Sequence, residues 1–103
     1  MTDRIVAAEF RAEPSLAGWR ADDDGAVVTF ATGTFARGLE LVNAIGELAE
    51  AADHHPDVDL RFPTVTVRVT SHDVGGLSRR DLELAQRVTQ AAQRLGVRVE
   101  EAG

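Results

Sequence analysis

The clearest pattern in the chain is an alternation of period two near its middle. Between Thr64 and Thr70, Val65, Val67 and Val69 alternate with Thr66, Arg68 and Thr70. This is the signature of a strand buried on one face, and nearly every position is β-branched. Just upstream, Val58, Leu60 and Phe62 alternate with Asp57, Asp59 and Arg61, which predicts a second strand buried on one face. Pro63 then marks a tight turn or a sheet edge. Continued past Thr70, this register puts His72 on the polar face with Arg68 and Thr70. Two shorter extended runs, Trp19 to Ala21 and Ala26 to Phe30, flank Asp22-Asp23-Asp24-Gly25. An Asp-Gly pair between such runs predicts a hairpin, because glycine accepts positive φ. Three successive aspartates could also be a metal loop, but the oxygen-ligand spacing of a calcium site is absent and a solvated turn is favoured.

Helical periodicity fills the remainder. Ile5 to Leu16 carries apolar Ile5, Val6, Ala8 and Phe10 among polar residues, enough for about two turns before Pro14. Thr34 can cap a helix from Phe35 to Ala52, with Leu39, Val42, Ile45 and Ala49 on one side. Adding Leu41, Leu48 and Ala52 widens its apolar arc to roughly 160°. Such an arc fits either a deeply buried helix or one whose face also meets a second subunit. A last helix starts at Ser78, where Ser78-Arg79-Arg80-Asp81 reads as a capping box, and Leu82, Ala85, Val88, Ala92 and Leu95 form its core stripe. Gly96 supplies its stop, and Val97 to Val99 is a short extended tail. Gly75 and Gly76 read as loop residues with permissive φ.

Two hairpins interleaved with helices, with valine faces needing cover, predict an α+β fold. The expected architecture is a four-stranded antiparallel sheet with three helices on one face, in the order αββαββα. At 103 residues the chain is a single domain with a large surface left over, so a homodimer or homotetramer is expected. The net charge is −6, with no lysine and 11 scattered arginines, so no basic stripe tracks a phosphate backbone and nucleic acid is not an expected partner. There is no cysteine, and no apolar run approaches the ~18 residues of a membrane helix. Met1-Thr2-Asp3-Arg4 lacks the charged and apolar regions of a signal peptide, which makes the cytoplasm the expected compartment.

Candidate chemistry concentrates in one region. All three histidines lie in Glu50-Ala51-Ala52-Asp53-His54-His55-Pro56 or at His72, with Asp81 following. Histidine, with an ordinary pKa of about 6.5, exchanges protons near neutral pH. A Glu, three residues, His-His-Pro, five residues, an aromatic (Phe62), nine residues, His72, eight residues and Asp81 together resemble the signature of the pterin-4a-carbinolamine dehydratases. The likeness extends through Leu16-Ala17-Gly18-Trp19, the Phe30 and Phe35 region, Thr70-Ser71-His72-Asp73-Val74-Gly75-Gly76-Leu77-Ser78 and Asp81-Leu82-Glu83-Leu84-Ala85. Two positions depart from it: Phe62 stands where the family carries Trp or Tyr, and Pro63 where it has a polar turn.

The resemblance implies the same helix and strand order and a hydro-lyase activity. That activity converts 4a-hydroxytetrahydrobiopterin to quinonoid dihydropterin and water, and so recycles the cofactor of aromatic amino acid hydroxylases. The reaction needs an acid for the departing hydroxyl and a base for a ring N–H, with no metal or redox cofactor. Carried over by position, His54 and His72 resemble the acid and base pair, in either assignment, and His55 helps hold and polarise the pterin. Asp81 orients or charges a histidine, although a capping box explains it equally without catalysis. His54, His55, Pro56, Ser71, His72, Asp73 and Val74 match the segments that contact substrate. Glu50 matches the signature but also reads as a solvated charge on a helix rim. A zinc hydrolase lacks any known ligand spacing, and a serine hydrolase using Ser71 lacks a nucleophile elbow. The remaining alternative is a non-catalytic assembly or dimerisation module of the same fold, against which the three retained histidines weigh.

Overall fold

The computed structural model describes residues 3–100; Met1 and Thr2, part of the tetrapeptide read above for a signal, lie outside the described residues. Along the chain run α1 (Ala7–Arg11), a 3-10 turn (Pro14–Leu16), β1 (Arg20–Asp22), β2 (Gly25–Ala31) and α2 (Phe35–Ala52). They are followed by β3 (Asp57–Arg61), β4 (Thr64–Val69), a second 3-10 turn (His72–Val74), α3 (Arg79–Arg94) and β5 (Arg98–Val99). The sheet is antiparallel in the order β1-β2-β4-β3, and β5 pairs with β2 at Phe30 and Ala31, beyond the stretch that β1 covers. The αββαββα order is therefore as expected, and the carboxyl-terminal tail adds a short fifth strand. No helix among the described residues is long and apolar enough to cross a membrane.

Register explains the core. Val28 and Val58 both pair with Val67, and Phe30 and Leu60 both pair with Val65, which lines these side chains along one face. Leu41 and Ile45 of α2 and Leu84, Ala85 and Val88 of α3 cover that face, and Val65, Val67 and Val69 are fully buried. The other face is polar: Thr29 and Thr66 share a hydroxyl hydrogen bond at 3.0 Å, and Arg68 pairs with Asp57 in register. Phe10 meets Trp19 edge to face at 5.9 Å, and Trp19 Nε1 donates to Thr89 at 3.0 Å, so the one indole is satisfied inside the core.

Several local expectations change. The first helix is a single short turn, because the chain leaves helical pairing after Arg11 and Pro14 opens a separate 3-10 turn, a position where its missing N–H costs nothing. The predicted hairpin forms, closed by the Asp22–Gly25 pair, with Asp22 Oδ1 accepting from the amides of Asp24 and Gly25. Its glycine has another purpose than positive φ: the left-handed glycines are Gly33, Gly75 and Gly96, whereas a Cβ on Gly25 would lie 2.8 Å from the Val69 carbonyl oxygen. On α2 the buried line is Gly38, Leu41, Ile45 and Ala49, with Phe35 and Leu39 left exposed. Gly38 shifts the packing, since a Cβ there would lie 2.8 Å from Leu60 Cδ1 and hold α2 off β3. Phe62 does not extend the buried face of β3; it sits in the turn before Pro63, joined by a cis peptide, and is 72% exposed.

Candidate active site

Two chain turns and one helix start build the site. At the end of α2, Asp53 takes a left-handed conformation (φ 49°) and the His54 amide donates back to the Ala49 carbonyl at 3.1 Å. This six-to-one closure terminates the helix and redirects the chain at His54. At the start of α3 the predicted capping box is present, with the Ser78 amide donating to Asp81 Oδ2 at 2.9 Å. The same oxygen accepts from Ser71 Oγ at 2.8 Å and lies 3.3 Å from Ser78 Oγ; the two hydroxyls are 2.7 Å apart. Oδ1, the other oxygen, lies 2.5 Å from His54 Nε2. Cap and imidazole partner are thus not rival roles for Asp81, because each takes one carboxylate oxygen. The Asp81 side chain is 0% exposed and that of His54 12%. A helix amino terminus favours an anion at this depth, and among the described residues no buried side-chain polar atom lacks a partner.

His72 stands on a closed loop. Ser71 and Gly76 exchange backbone hydrogen bonds of 2.7 and 3.1 Å, and the 3-10 turn between them ends in left-handed Gly75 (φ 69°). Gly76 is required for close approach and not for φ, since a Cβ there would lie 2.3 Å from the Asp23 carbonyl oxygen. Arg80 straps this loop to α3: its Nη2 donates to both Asp73 oxygens at 2.9 and 2.8 Å, and its Nε to Asp3 at 2.9 Å. Hydrogen bonding from Arg80 holds the Asp73 carboxyl below the usual carboxylate range, helped by the charges of Arg80 and His54.

The predicted residues consequently fall into three settings. His54, Asp81 and Ser71 form the buried cluster, in which the Ser71 hydroxyl is bound to Asp81. His72 and Thr70 line an open cavity of about 380 Å³ with Asp24, Asp57 and Arg68. His54 opens on a separate depression of about 280 Å³ beside Arg80 and Arg87, so the two imidazoles do not share one cavity in the single chain. His55 lies on the surface with Nε2 2.5 Å from Glu50 Oε2, their side chains 57% and 78% exposed. Pro56 and Val74 are half-buried between these groups in sequence. A larger groove, about 770 Å³ between Trp19 and Val99, is lined by no histidine. Among the described residues no group of three or more His, Asp or Glu is arranged to hold a metal ion. Sequence reasoning passed over Arg80, whose adjacency to Asp81 at a helix start was the available signal, and over Asp57 and Arg68, read only as the polar sides of strands.

An antiparallel sheet backed by helices, with an imidazole held against a capped, buried carboxylate, defines a small α+β protein with titratable groups at its helix ends. The family model described as pterin 4 alpha carbinolamine dehydratase matches residues 2–91, and the chain belongs to this family. A relative from Natronomonas pharaonis, provisionally named pterin-4-alpha-carbinolamine dehydratase, is 38% identical over 93 residues, covering 90% of this chain and all of its own. One from Thermomicrobium roseum with the same provisional name is 36% identical over 92 residues, covering 89% and 96%. Among solved structures, a transcriptional coactivator/pterin dehydratase from Brucella melitensis superposes with a TM-score of 0.75 at 22% identity, over 86% of this chain and 98% of that one. A pterin dehydratase-like protein identified as a RuBisCO assembly factor in the alpha-carboxysome gives a TM-score of 0.62 at 22% identity, over 73% and 89%. At these identities the two structures establish the shared fold.

Proposed function

We propose that this chain is a hydro-lyase that dehydrates a 4a-hydroxytetrahydropterin. The C4a–O bond breaks as an acid protonates the departing hydroxyl, and a base takes a ring N–H proton to give the quinonoid dihydropterin and water. His54 and His72 are the acid and base, and proton exchange with solvent resets them after each turnover. The observation that carries this reading is the His54–Asp81 contact: a fully buried carboxylate, fixed by Ser71 and Ser78, presents its second oxygen to an imidazole at 2.5 Å. Such a partner fixes the ring's orientation and tautomer, which a proton donor or acceptor requires. His55 contributes from the surface by holding and polarising the pterin, with Pro56, Asp73 and Val74 in the same contact region. The test is the absorbance decay of freshly generated 4a-hydroxytetrahydropterin. Added protein accelerates it over buffer and keeps doing so after chelator treatment; a buffer-like rate together with no pterin binding overturns the proposal.

One observation favours a second reading. The structural neighbour identified as an assembly factor shares this fold, so an assembly module is the function to adopt if the enzyme assay fails. In either case we propose a homodimer or homotetramer. Phe35 and Leu39 on α2 and Val58 on the sheet-edge strand β3 are exposed apolar side chains, which a second copy would cover. Light scattering at micromolar concentration that returns one chain mass rules this out.

A further inference from the structure

The cavity beside His72 holds two charged side chains that nothing described so far employs. Asp57 and Arg68 are directly opposite each other across β3 and β4, on the polar face of the sheet, and both line that cavity. They carry opposite charges, yet they make no ion pair with each other, and among the described residues neither side chain has a hydrogen-bond partner. Gly25 makes room for the guanidinium: a Cβ there would lie 3.1 Å from Arg68 Nη2. The half-buried guanidinium reaches over Gly25 on the β2 side of β4 and the exposed Asp57 carboxylate stands on the β3 side, so the two ends of the cavity offer a donor and an acceptor to a ligand's polar edge.

We infer that Asp57 and Arg68 read the 2-amino-4-oxo edge of the bound pterin. This rests on the pterin reading above and adds to it the residues that choose among heterocycles. That edge presents two N–H donors, from the 2-amino group and N3, next to the 4-oxo acceptor. A carboxylate accepts both N–H groups and a guanidinium donates to the oxygen, so the two side chains match the edge in order and in charge. Asp57 follows His54-His55-Pro56 without a gap, and Arg68 is on the strand that runs into His72. Anchoring the pyrimidine here therefore places the ring system in the cavity that His72 lines. Asp24, the other carboxylate in the cavity, sits on the hairpin turn, where its carbonyl accepts from Thr70 Oγ1 at 2.6 Å; it has no opposed cation in the sheet register.

The experiment titrates 7,8-dihydropterin and 7,8-dihydrolumazine, which has a 2-oxo group in place of the 2-amino group, into wild type, Asp57→Asn, Arg68→Gln and Asp24→Asn. Binding is followed by fluorescence and folding by circular dichroism. Wild type prefers dihydropterin. Asp57→Asn binds dihydropterin roughly 10- to 100-fold more weakly, the loss of a charge-assisted pair, and its preference disappears or reverses because an amide can donate to the 2-oxo group. Arg68→Gln weakens both ligands by a similar factor, since both carry the 4-oxo group, and Asp24→Asn changes neither by more than about twofold. Should Asp57→Asn fail to fold, Asp57→Ser supplies the same comparison. Wild-type affinity and preference in the Asp57 variant would make it only a protective charge on an edge strand and overturn this inference alone. A wild-type protein that binds neither ligand overturns it together with the pterin reading.

Discussion

Two adjacent histidines in this protein have the same partner chemistry at the same distance and differ in nearly everything else. His54 Nε2 meets Asp81 at 2.5 Å with side-chain exposures of 12% and 0%, and His55 Nε2 meets Glu50 at 2.5 Å with exposures of 57% and 78%. Around the exposed pair water competes for every lone pair and screens the charge, so holding two flexible side chains together gains little. Around the buried Asp81 carboxylate there is no such competitor. Ser71, the Ser78 amide and His54 all depend on one carboxylate, and removing it leaves donors with nothing to bond. Contact distance alone therefore does not rank the two pairs; their surroundings do.

The comparison is broken most severely by Asp81→Ala. This variant should lose about 2–4 kcal/mol in a denaturant titration, through lost capping and unsatisfied buried donors, and its dehydration rate should fall by roughly 100-fold or more. Glu50→Ala, measured the same way, should stay within about 0.5 kcal/mol. Equal losses in the two variants would mean that burial does not separate the pairs.

Asp81→Asn is gentler and divides the two jobs of the carboxylate. An amide has one accepting oxygen, which the Ser71 hydroxyl and Ser78 amide will claim, turning its NH₂ toward His54 Nε2. Stability should fall by only about 1 kcal/mol, while the rate drops about tenfold or more because the imidazole now meets a donor. A near wild-type rate would reduce Asp81 to a helix cap.

Arg80→Gln tests whether the His72 loop is tied to the buried cluster. In the wild type, carbon-detected titration should place the Asp73 midpoint below the ordinary aspartate value of 3.8, with Arg80 as the main cause. A carboxyl lowered on folding favours the folded loop at all pH above the unfolded value, and that contribution fades as pH falls through the lowered one. The variant's midpoint should move up toward 3.8 and its rate should fall several-fold; an unmoved midpoint would dissolve the strap. The smallest effect belongs to Glu50→Gln, expected within about twofold in rate and 0.5 kcal/mol in stability, since the amide replaces an exposed charge.

Much of the fold was legible because it depends on local periodicity. The valine alternation of β4, the helix from Phe35 to Ala52 with its Thr34 cap, the Ser78 capping box and the Gly96 stop all follow from neighbours within a few residues. The misread positions depended on distant chain. Gly25 and Gly76 are glycines because Val69 and Asp23 come close to them, and Phe62 left the buried face because it falls in the turn between β3 and β4.

The site divides along the same line. The order of residues brought forward His54, His55, His72 and Asp81 as candidates, and it determined that Asp81 would cap a helix, because the serine it answers is three positions away. Only the tertiary structure decided that His54 would be the histidine turned into the protein against Asp81 while His55 faces water, that Ser71 would complete the buried cluster, and that Asp57 and Arg68 would stand together beside His72. Spacing along a chain records which groups are present, but how strongly a charge or proton is held depends on how much water the packed fold removes around it.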